Sequence, residues 1–302
     1  MKDKTDFLDL NPKETYERAI YFIRNYVMDL KKEGIVVGLS GGIDSCIILK
    51  LCAEAIGSEK VLAVILPERD SSPKNMKDAV KYARSLKVRF ILKKITSILW
   101  LFGIYRLYPP TFFFTRRLQA SFVKKQRSIL SNKIGKDIFL ANLEGYPDRD
   151  LNKAMAFYRI KHRFRSSILF YYAELNNYLL VGTANKTELL TGFFVKYGDN
   201  IADIMPISNL YKTQVFDFAR YLKIDGHLIE KSPSPDLIPG VVDEDMLGLP
   251  YNKLDLILFG IENNHTDDDI TKIADASRDE IERVREIIEK SEYLRAWPIL
   301  IR

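Results

Sequence analysis

The stretch at residues 34–50, GIVVGLSGGIDSCIILK, constrains the fold more than any other part of the chain. Three β-branched residues at 35–37 lie between two glycines, which predicts a short buried strand. A Ser-Gly-Gly turn follows at 40–42, and apolar residues at helical spacing from 46 to 55 predict a helix. The chain therefore passes from a strand through a tight glycine turn directly into a helix.

This strand, turn and helix start also predict an anion-binding site. Backbone N–H groups and the positive end of a helix dipole meet at such a turn, and glycines let a phosphate approach closely. No lysine follows the second glycine, so this is not the G-x-x-x-x-G-K-[ST] loop. Instead, Ser40 and Ser45 can donate to phosphate oxygens, and the carboxylate of Asp44 can hold Mg²⁺. The alternative is an ordinary turn built from small residues.

Strands and helices alternate on both sides of this loop. In chain order the sequence predicts a helix at 12–32, a strand at 61–66, a helix at 73–86, and strands at 90–92 and 178–182 separated by a long helix at 158–175. Alternation of this kind predicts an α/β fold with a doubly wound parallel sheet, of the Rossmann-like type, covered on both faces. We expect residues 1–302 to form a single domain.

Two segments stand outside this alternation. Residues 97–156 are first apolar and aromatic and then basic, while a charged helical segment covers about 262–302. The first segment fits a helical insertion that buries its aromatics against the body or a second subunit. It also fits a lid over a substrate, or a surface that binds membrane or nucleic acid. All three alternatives stay open at this point.

Composition and charge narrow the class of protein. No apolar run is long enough to span a membrane, and the charged N-terminus is unlike a signal peptide. Cys46 and Cys52 should face different directions on one helix, so we expect free thiols and a cytoplasmic protein. The net charge of +6 suits an enzyme for polyanionic nucleotides, and we expect no nucleic-acid partner. His162, His227 and His265 share no motif with a nucleophile, which argues against a triad, and we expect them at the surface.

A second polar segment follows the strand predicted at 178–182. Thr183 and Glu188 lie after the carboxyl end of that strand, where open α/β sheets bind their ligands. Glu188 can therefore reach the same metal ion as Asp44. Lys212 begins another amphipathic helix, where a cation is unfavourable, and a bound phosphate would offset that cost.

Several short motifs follow one another in a fixed order along the chain. They are S-G-G-x-D-S, R-x-R, G-T-x-N-K-x-E, G-F-F-x-K-Y-G-D, Y-K-T-Q-V and P-S-x-D-L. This order resembles the ammonia-dependent NAD synthetase family of the ATP pyrophosphatase superfamily, over roughly residues 12–255. The resemblance implies an adenine nucleotide alpha hydrolase-like fold. It also implies that ATP adenylates the carboxylate of deamido-NAD with release of pyrophosphate, after which ammonia displaces AMP to give NAD.

The resemblance also implies roles for individual residues. The residues implied to bind ATP are Gly38, Leu39, Ser40, Gly41, Gly42, Ile43, Asp44, Ser45, Thr183, Lys212 and Ser234. Asp44 and Glu188 would hold Mg²⁺, and with Lys212 they form the implied catalytic set. Arg163, Lys196 and Asp203 would bind deamido-NAD. A homodimer is expected by resemblance, with nitrogen from free ammonia or from a separate glutaminase subunit.

The sequence departs from the family pattern in three places. Val195 stands where Thr is usual, Val241 and Val242 replace a Gln-Thr pair, and Tyr293 with Leu294 falls where the family has a His-Lys pair that contacts substrate. The last change concerns the acid and leaves the ATP motifs intact. Two alternatives therefore remain: a related ligase that adenylates another carboxylic acid, and a nucleotide-binding regulator without turnover.

Overall fold

The computed structural model describes residues 7–107, 116–234 and 242–296. Residues 108–115 of the predicted insertion, residues 297–302 of the C-terminal segment, and Val241 lie outside the described residues. The helices are α1 (Pro12–Asp29), α2 (Ile43–Ile56), α3 (Pro73–Ser85), α4 (Thr96–Leu101), α5 (Arg116–Ile134), α6 (Ile138–Leu143), α7 (Arg149–Leu175), α8 (Lys186–Thr191), α9 (Lys212–Tyr221), α10 (Gly226–Ile229), α11 (Asp243–Leu247), α12 (Tyr251–Glu262), α13 (Asp267–Ala274), α14 (Arg278–Lys290) and α15 (Glu292–Arg295).

The described strands form one parallel sheet. They are β1 (Gly34–Gly38), β2 (Val61–Ile65), β3 (Arg89–Leu92) and β4 (Tyr178–Val181), in the order β3-β2-β1-β4. The chain runs outward from β1 to β3 and then returns to place β4 on the other side of β1. The strand order thus reverses between β1 and β4, and ligands of open α/β sheets bind at such a reversal.

The sheet is covered on both faces. Successive residues of a strand point to opposite faces, so Ile35 and Val37 of β1 pack with α1, α2 and α9. Val36, between them, packs with Leu180 and with Ala173 of α7 on the other side. This confirms the predicted doubly wound α/β fold. Both cysteines are buried as free thiols. None of the described helices is both long and apolar enough to cross a membrane.

The long helix predicted from residue 158 begins earlier in the structure. The Asp148 side chain accepts the backbone N–H groups of Asp150 and Leu151, and this cap starts α7 at Arg149. The described part of the predicted insertion is helical, and Phe139 of α6 packs in the same apolar cluster as α12 and α14. The insertion therefore covers part of the body of the protein.

A buried carboxylate joins α8, α9 and α12. Asp255 is fully buried and accepts the Thr187 hydroxyl at 2.6 Å and the Thr213 backbone N–H at 2.8 Å. Thr187 Oγ1 in turn accepts the backbone N–H of Lys212 at 2.9 Å. Burial raises the pKa of Asp255 to about 6. These bonds fix the first turn of α9 against α8, and so they position the residues at both helix starts.

Replacing Asp255 with Ala is expected to destabilise the protein by about 2–4 kcal/mol, because it leaves the Thr187 hydroxyl and the Thr213 N–H buried without an acceptor. Urea denaturation measures the loss. Asp268→Ala is the matched control, since Asp268 is exposed and pairs only with Arg278 on the surface. The control should change stability by less than about 0.5 kcal/mol. Equal losses in the two variants would contradict this account.

Candidate active site

A cavity of about 340 Å³ opens at the carboxyl ends of β1 and β4. It is lined by most of the residues that the sequence implied for ATP: Gly38, Leu39, Ser40, Gly42, Ile43, Asp44, Ser45, Thr183, Lys212 and Ser234. Glu188 lines it as well. The fold therefore brings segments more than a hundred residues apart in the chain to one place.

The glycine turn is shaped for a close approach. Gly41 has a φ of +81°, and an added Cβ would lie 2.3 Å from the Asn75 carbonyl oxygen, so only glycine fits. Gly42 begins α2 without any side-chain cap, which leaves the first N–H groups of a 14-residue helix available to a ligand. Ser45 Oγ donates to the Gly42 carbonyl at 2.9 Å and holds the turn in this form.

An ion pair crosses the cavity between α2 and α9. Lys212 Nζ lies 2.6 Å from Asp44 Oδ2, while Asn185 Nδ2 donates to Asp44 Oδ1 at 3.1 Å. Lys212 is only 2% exposed. Burial would lower the pKa of Lys212, but the carboxylates of Asp44 and Glu188 outweigh it and raise the pKa above its ordinary value. The sequence suggested that a bound phosphate would offset the cost of a cation at the start of α9. In the structure, the two carboxylates already offset that cost.

Glu188 lies in the first turn of α8, in a capping box with Asn185. Its Oε2 accepts the Asn185 backbone N–H at 3.2 Å, and the Asn185 side chain accepts the Glu188 N–H at 3.0 Å. Burial, and next the charge of Asp44, raise the pKa of Glu188 to about 8. Two carboxylates thus compete for one cation, Lys212, and the site favours the arrival of further positive charge.

The donor set is of the kind that suits magnesium. Mg²⁺ is usually held by one or two carboxylates together with substrate phosphate oxygens and water. Asp44 and Glu188 supply two carboxylates beside a glycine turn suited to phosphate. The described residues hold no group of three or more His, Cys, Asp or Glu side chains that would bind a metal alone. The residues present therefore fit a cation that arrives with a phosphate ligand.

A third carboxylate, Asp243, lines the same cavity and was not predicted from the sequence. It is 6% exposed, and burial raises its pKa to about 6. Oδ2 accepts the Tyr251 hydroxyl at 3.1 Å, while Oδ1 is buried and has no hydrogen-bond partner within the described part of the chain. Asp243 and Glu244 follow Val242 in the sequence, but no motif or periodicity around them predicts that Asp243 reaches the cavity.

Three predicted substrate residues lie away from this cavity wall. Arg163 is exposed on α7, and its Nε donates to the Lys196 carbonyl at 3.3 Å. Lys196 Nζ donates to the Tyr293 carbonyl at 2.6 Å. Asp203 accepts the backbone N–H of Leu180 at 2.7 Å beside β4. Their assignment to deamido-NAD stays a prediction.

A second cavity, of about 460 Å³, adjoins the first. Tyr158, Phe193 and Phe194 line both cavities and so form their common wall. The rest of the second wall comes mainly from α5, α6, α7 and residues 192–195, together with Arg69, Asp70, Met246 and Leu294, and most of its surface is apolar. The insertion helices therefore help to enclose a chamber beside the first turn of α2, which carries Asp44.

One face of α7 contributes further residues to this cavity, none of them among those that the sequence implied for ATP. Tyr158, His162, Arg165 and Leu169 all line the first cavity. Their helical spacing was a signal for a shared face, although the sequence did not show which face is inward. The prediction that His162 lies at the surface is wrong, because its side chain is only 12% exposed.

Known proteins with similar sequences point to one family. The chain matches the family model for NAD synthase over residues 15–108 and 119–298. It is 44% identical over 284 residues to the NH(3)-dependent NAD(+) synthetase of Thermotoga neapolitana, covering 94% of each chain. It is 35% identical over 286 residues to the enzyme of the same name from Methanocaldococcus jannaschii, covering 94% of this chain and 95% of that one.

Solved structures agree on the fold. The NH3-dependent NAD synthetase of Campylobacter jejuni superposes with a TM-score of 0.70 at 24% identity, over 97% of this chain and 100% of that one. An NMN synthetase of Francisella tularensis gives a TM-score of 0.71 at 24% identity, over 97% and 99%. Fold and site together define an α/β enzyme with the adenine nucleotide alpha hydrolase-like fold. The family match and the sequence identities place it more closely: the chain belongs to the NAD synthase family.

Glu188→Gln is expected to stabilise the ligand-free protein at neutral and alkaline pH. The folded-state pKa of about 8 lies above the unfolded value of about 4.3, so ionisation of Glu188 opposes folding increasingly as pH rises between them. Glutamine keeps the capping acceptor and removes that penalty. The variant should equal wild type near pH 4, below the unfolded pKa, and exceed it by about 1–3 kcal/mol at pH 8.

Urea denaturation in metal-free buffer at several pH values measures this difference. Glu282→Gln, at an exposed position on α14, is the control and should show no such trend. A Glu188→Gln variant that is less stable than wild type at pH 8 would contradict the assignment.

Proposed function

We propose that this protein amidates deamido-NAD to NAD with ammonia, using ATP and Mg²⁺, through an acyl-adenylate, and that it releases AMP and pyrophosphate. The observation that carries the proposal is the convergence of Asp44, Glu188 and Lys212 beside an uncapped helix start, in a chain of the NAD synthase family. We further propose a cytoplasmic homodimer that takes ammonia from solution or from a separate glutaminase subunit.

The first cavity suits the triphosphate of ATP. The first backbone N–H groups of α2 would bind the departing β- and γ-phosphates, and the helix dipole favours their negative charge. Lys212, fixed by its ion pair with Asp44, supplies a cation close to the transferring α-phosphoryl group. Thr183 and Ser234 line the same wall and offer hydroxyls to the nucleotide.

Asp44 and Glu188 are the residues that would hold the magnesium ion. When bound, such an ion supplies positive charge to the phosphate oxygens of the nucleotide. The raised pKa of Glu188 fits this role, because a bound cation replaces the missing positive charge and keeps the carboxylate ionised. Asn185 orients Asp44 through its amide group.

The second cavity is the proposed chamber for the rest of the acid. Its wall of aromatic and aliphatic side chains suits the planar ring of a nicotinic acid group, and its boundary with the ATP cavity is made by Tyr158 and Phe193. The acid carboxylate can then attack the α-phosphorus from that boundary, and pyrophosphate leaves. Ammonia next attacks the acyl carbon and AMP leaves. Lys196, next to Val195 in this wall, Arg163 and Asp203 are proposed to bind the remainder of deamido-NAD.

Asp44→Asn is expected to reduce AMP formation by at least about 100-fold, because it removes the ion-pair partner of Lys212 and a metal ligand at one step. Coupled assays of AMP and pyrophosphate measure the loss. Asp217→Asn, on the exposed side of α9, serves as the matched control and should keep wild-type rates. Activity of Asp44→Asn within about tenfold of wild type would refute ATP cleavage at this site.

The identity of the acid is a separate question, because Tyr293 and Leu294 replace the family's His-Lys pair. Another member of the same fold is an NMN synthetase, so a screen should include the mononucleotide of nicotinic acid as well as the dinucleotide. Pyrophosphate release with ATP and Mg²⁺ is the readout. The proposal predicts the highest kcat/KM with deamido-NAD. Release with another acid and none with deamido-NAD would favour the related-ligase alternative.

A further inference from the structure

His162 is held in one orientation between α7 and the loop at residues 195–199. Its Nδ1 lies 3.2 Å from Asp199 Oδ2. The other oxygen of Asp199 accepts the backbone N–H of Val195 at 2.7 Å. An added Cβ on Gly198 would lie 2.9 Å from His162 Cβ, so the loop packs directly on the histidine. Ser166 Oγ also donates to the Gly198 carbonyl at 2.6 Å and ties the loop to the helix.

This contact decides which ring nitrogen carries the proton. A carboxylate only accepts hydrogen bonds, so we assign the ring proton to Nδ1, which lies 3.2 Å from Asp199 Oδ2. Nε2 is then a bare acceptor, and it is buried without a hydrogen-bond partner among the residues that the structure describes. A buried acceptor left unpaired costs about 1–3 kcal/mol, which a bound donor would recover. Burial lowers the pKa of His162 in spite of Asp199, so the ring is neutral near pH 7.

The position of His162 relates it to the reacting atoms. His162 and Asp199 both line the first cavity with Glu188 and Lys212. The His162 ring stacks edge-on against Tyr158, with 4.8 Å between the ring centroids, and Tyr158 separates the two cavities. His162 therefore lies beside the boundary between the two cavities, where the proposed function places the acid and the α-phosphate of ATP.

We propose that Nε2 of His162 accepts an N–H of the attacking ammonia and takes its proton as the amide forms, with Asp199 as the positioning residue. This inference rests on the proposed function. The nitrogen lone pair forms the new bond to the acyl carbon, and the bond from that carbon to the AMP oxygen breaks with its electron pair. One N–H proton passes to Nε2 and from there to solvent, which restores the neutral ring.

Two features favour ammonia over a donor on the nucleotide. Nε2 is buried, so a donor that reaches it has to be small, and ammonia is smaller than a large ligand that carries an amino or hydroxyl group. The reaction also requires a base at this point, because the nitrogen must lose a proton to end as a neutral amide. A neutral imidazole with an oriented acceptor nitrogen meets that need.

The test separates adenylation from amidation in the full-length protein. Acid-dependent exchange of labelled pyrophosphate into ATP, without ammonia, reports the first half-reaction. Amide formation against ammonium concentration reports the second. In His162→Ala, exchange should fall by less than about threefold, while kcat/KM for ammonium should fall by about 100-fold, the low end of what a positioned acid or base contributes. His265→Ala, between α12 and α13, is the control histidine and should behave as wild type in both assays.

Hydroxylamine gives a readout that a merely structural role would not move. It is a stronger nucleophile that gives up a proton more easily, so the defect of His162→Ala should shrink to less than about tenfold when hydroxamate formation is measured. A kcat/KM for ammonium within twofold of wild type would overturn the inference. Equal losses in exchange and amidation would overturn it as well. Absence of exchange in the wild type would instead overturn the proposed function.

Asp199→Asn tests the positioning role. The Val195 N–H requires an acceptor, so the new amide oxygen stays with it and the NH₂ group turns to His162. Nδ1 must then accept, the ring proton moves to Nε2, and the bare acceptor is lost. Asp199→Asn should therefore reproduce the loss of ammonium kcat/KM seen in His162→Ala, with exchange largely kept. Wild-type ammonium dependence in Asp199→Asn would contradict the assigned tautomer.

Discussion

The ion pair between Asp44 and the buried Lys212 is the contact on which the rest of the site depends. A buried lysine is stable as a cation only if carboxylates lie beside it, and a buried carboxylate needs the lysine in return. The pair joins the loop after β1 to the start of α9, while Thr187 and Asp255 fix that start from behind. Removing either partner leaves a buried charge, so the geometry for phosphate and the stability of the site are linked.

Sheet topology explains why this contact forms where it does. The order β3-β2-β1-β4 places the reversal of the chain between β1 and β4, and both strands end at the same edge. Side chains that follow each strand, Asp44 after one and Glu188 after the other, must then converge. Two carboxylates, those of Asp44 and Glu188, act on a single cation between them, Lys212. That excess favours added positive charge beside the carboxylates, which the divalent cation of a bound nucleotide would supply.

The parts of this structure that local chemistry determines were predictable. The glycine turn, the helix start at Pro73 and the meeting of Asp44 with Glu188 follow from periodicity and parallel strands. Other parts depend on contacts between distant segments. No local pattern shows that Asp255 lies beneath α8, that Asp243 reaches the cavity, or which face of α7 turns His162 inward. The Asp148 cap that lengthens α7 lay within a segment without a clear period.

The proposed function depends most directly on activation of the acid through cleavage between the α and β phosphates of ATP. One measurement tests it: turnover of deamido-NAD labelled with heavy oxygen in its carboxylate, followed by mass spectrometry of the products. Attack of the carboxylate on the α-phosphorus predicts one labelled oxygen in AMP, one retained in the amide, and none in pyrophosphate. Amide formed with unlabelled AMP would contradict the acyl-adenylate and, with it, the role given to this cavity.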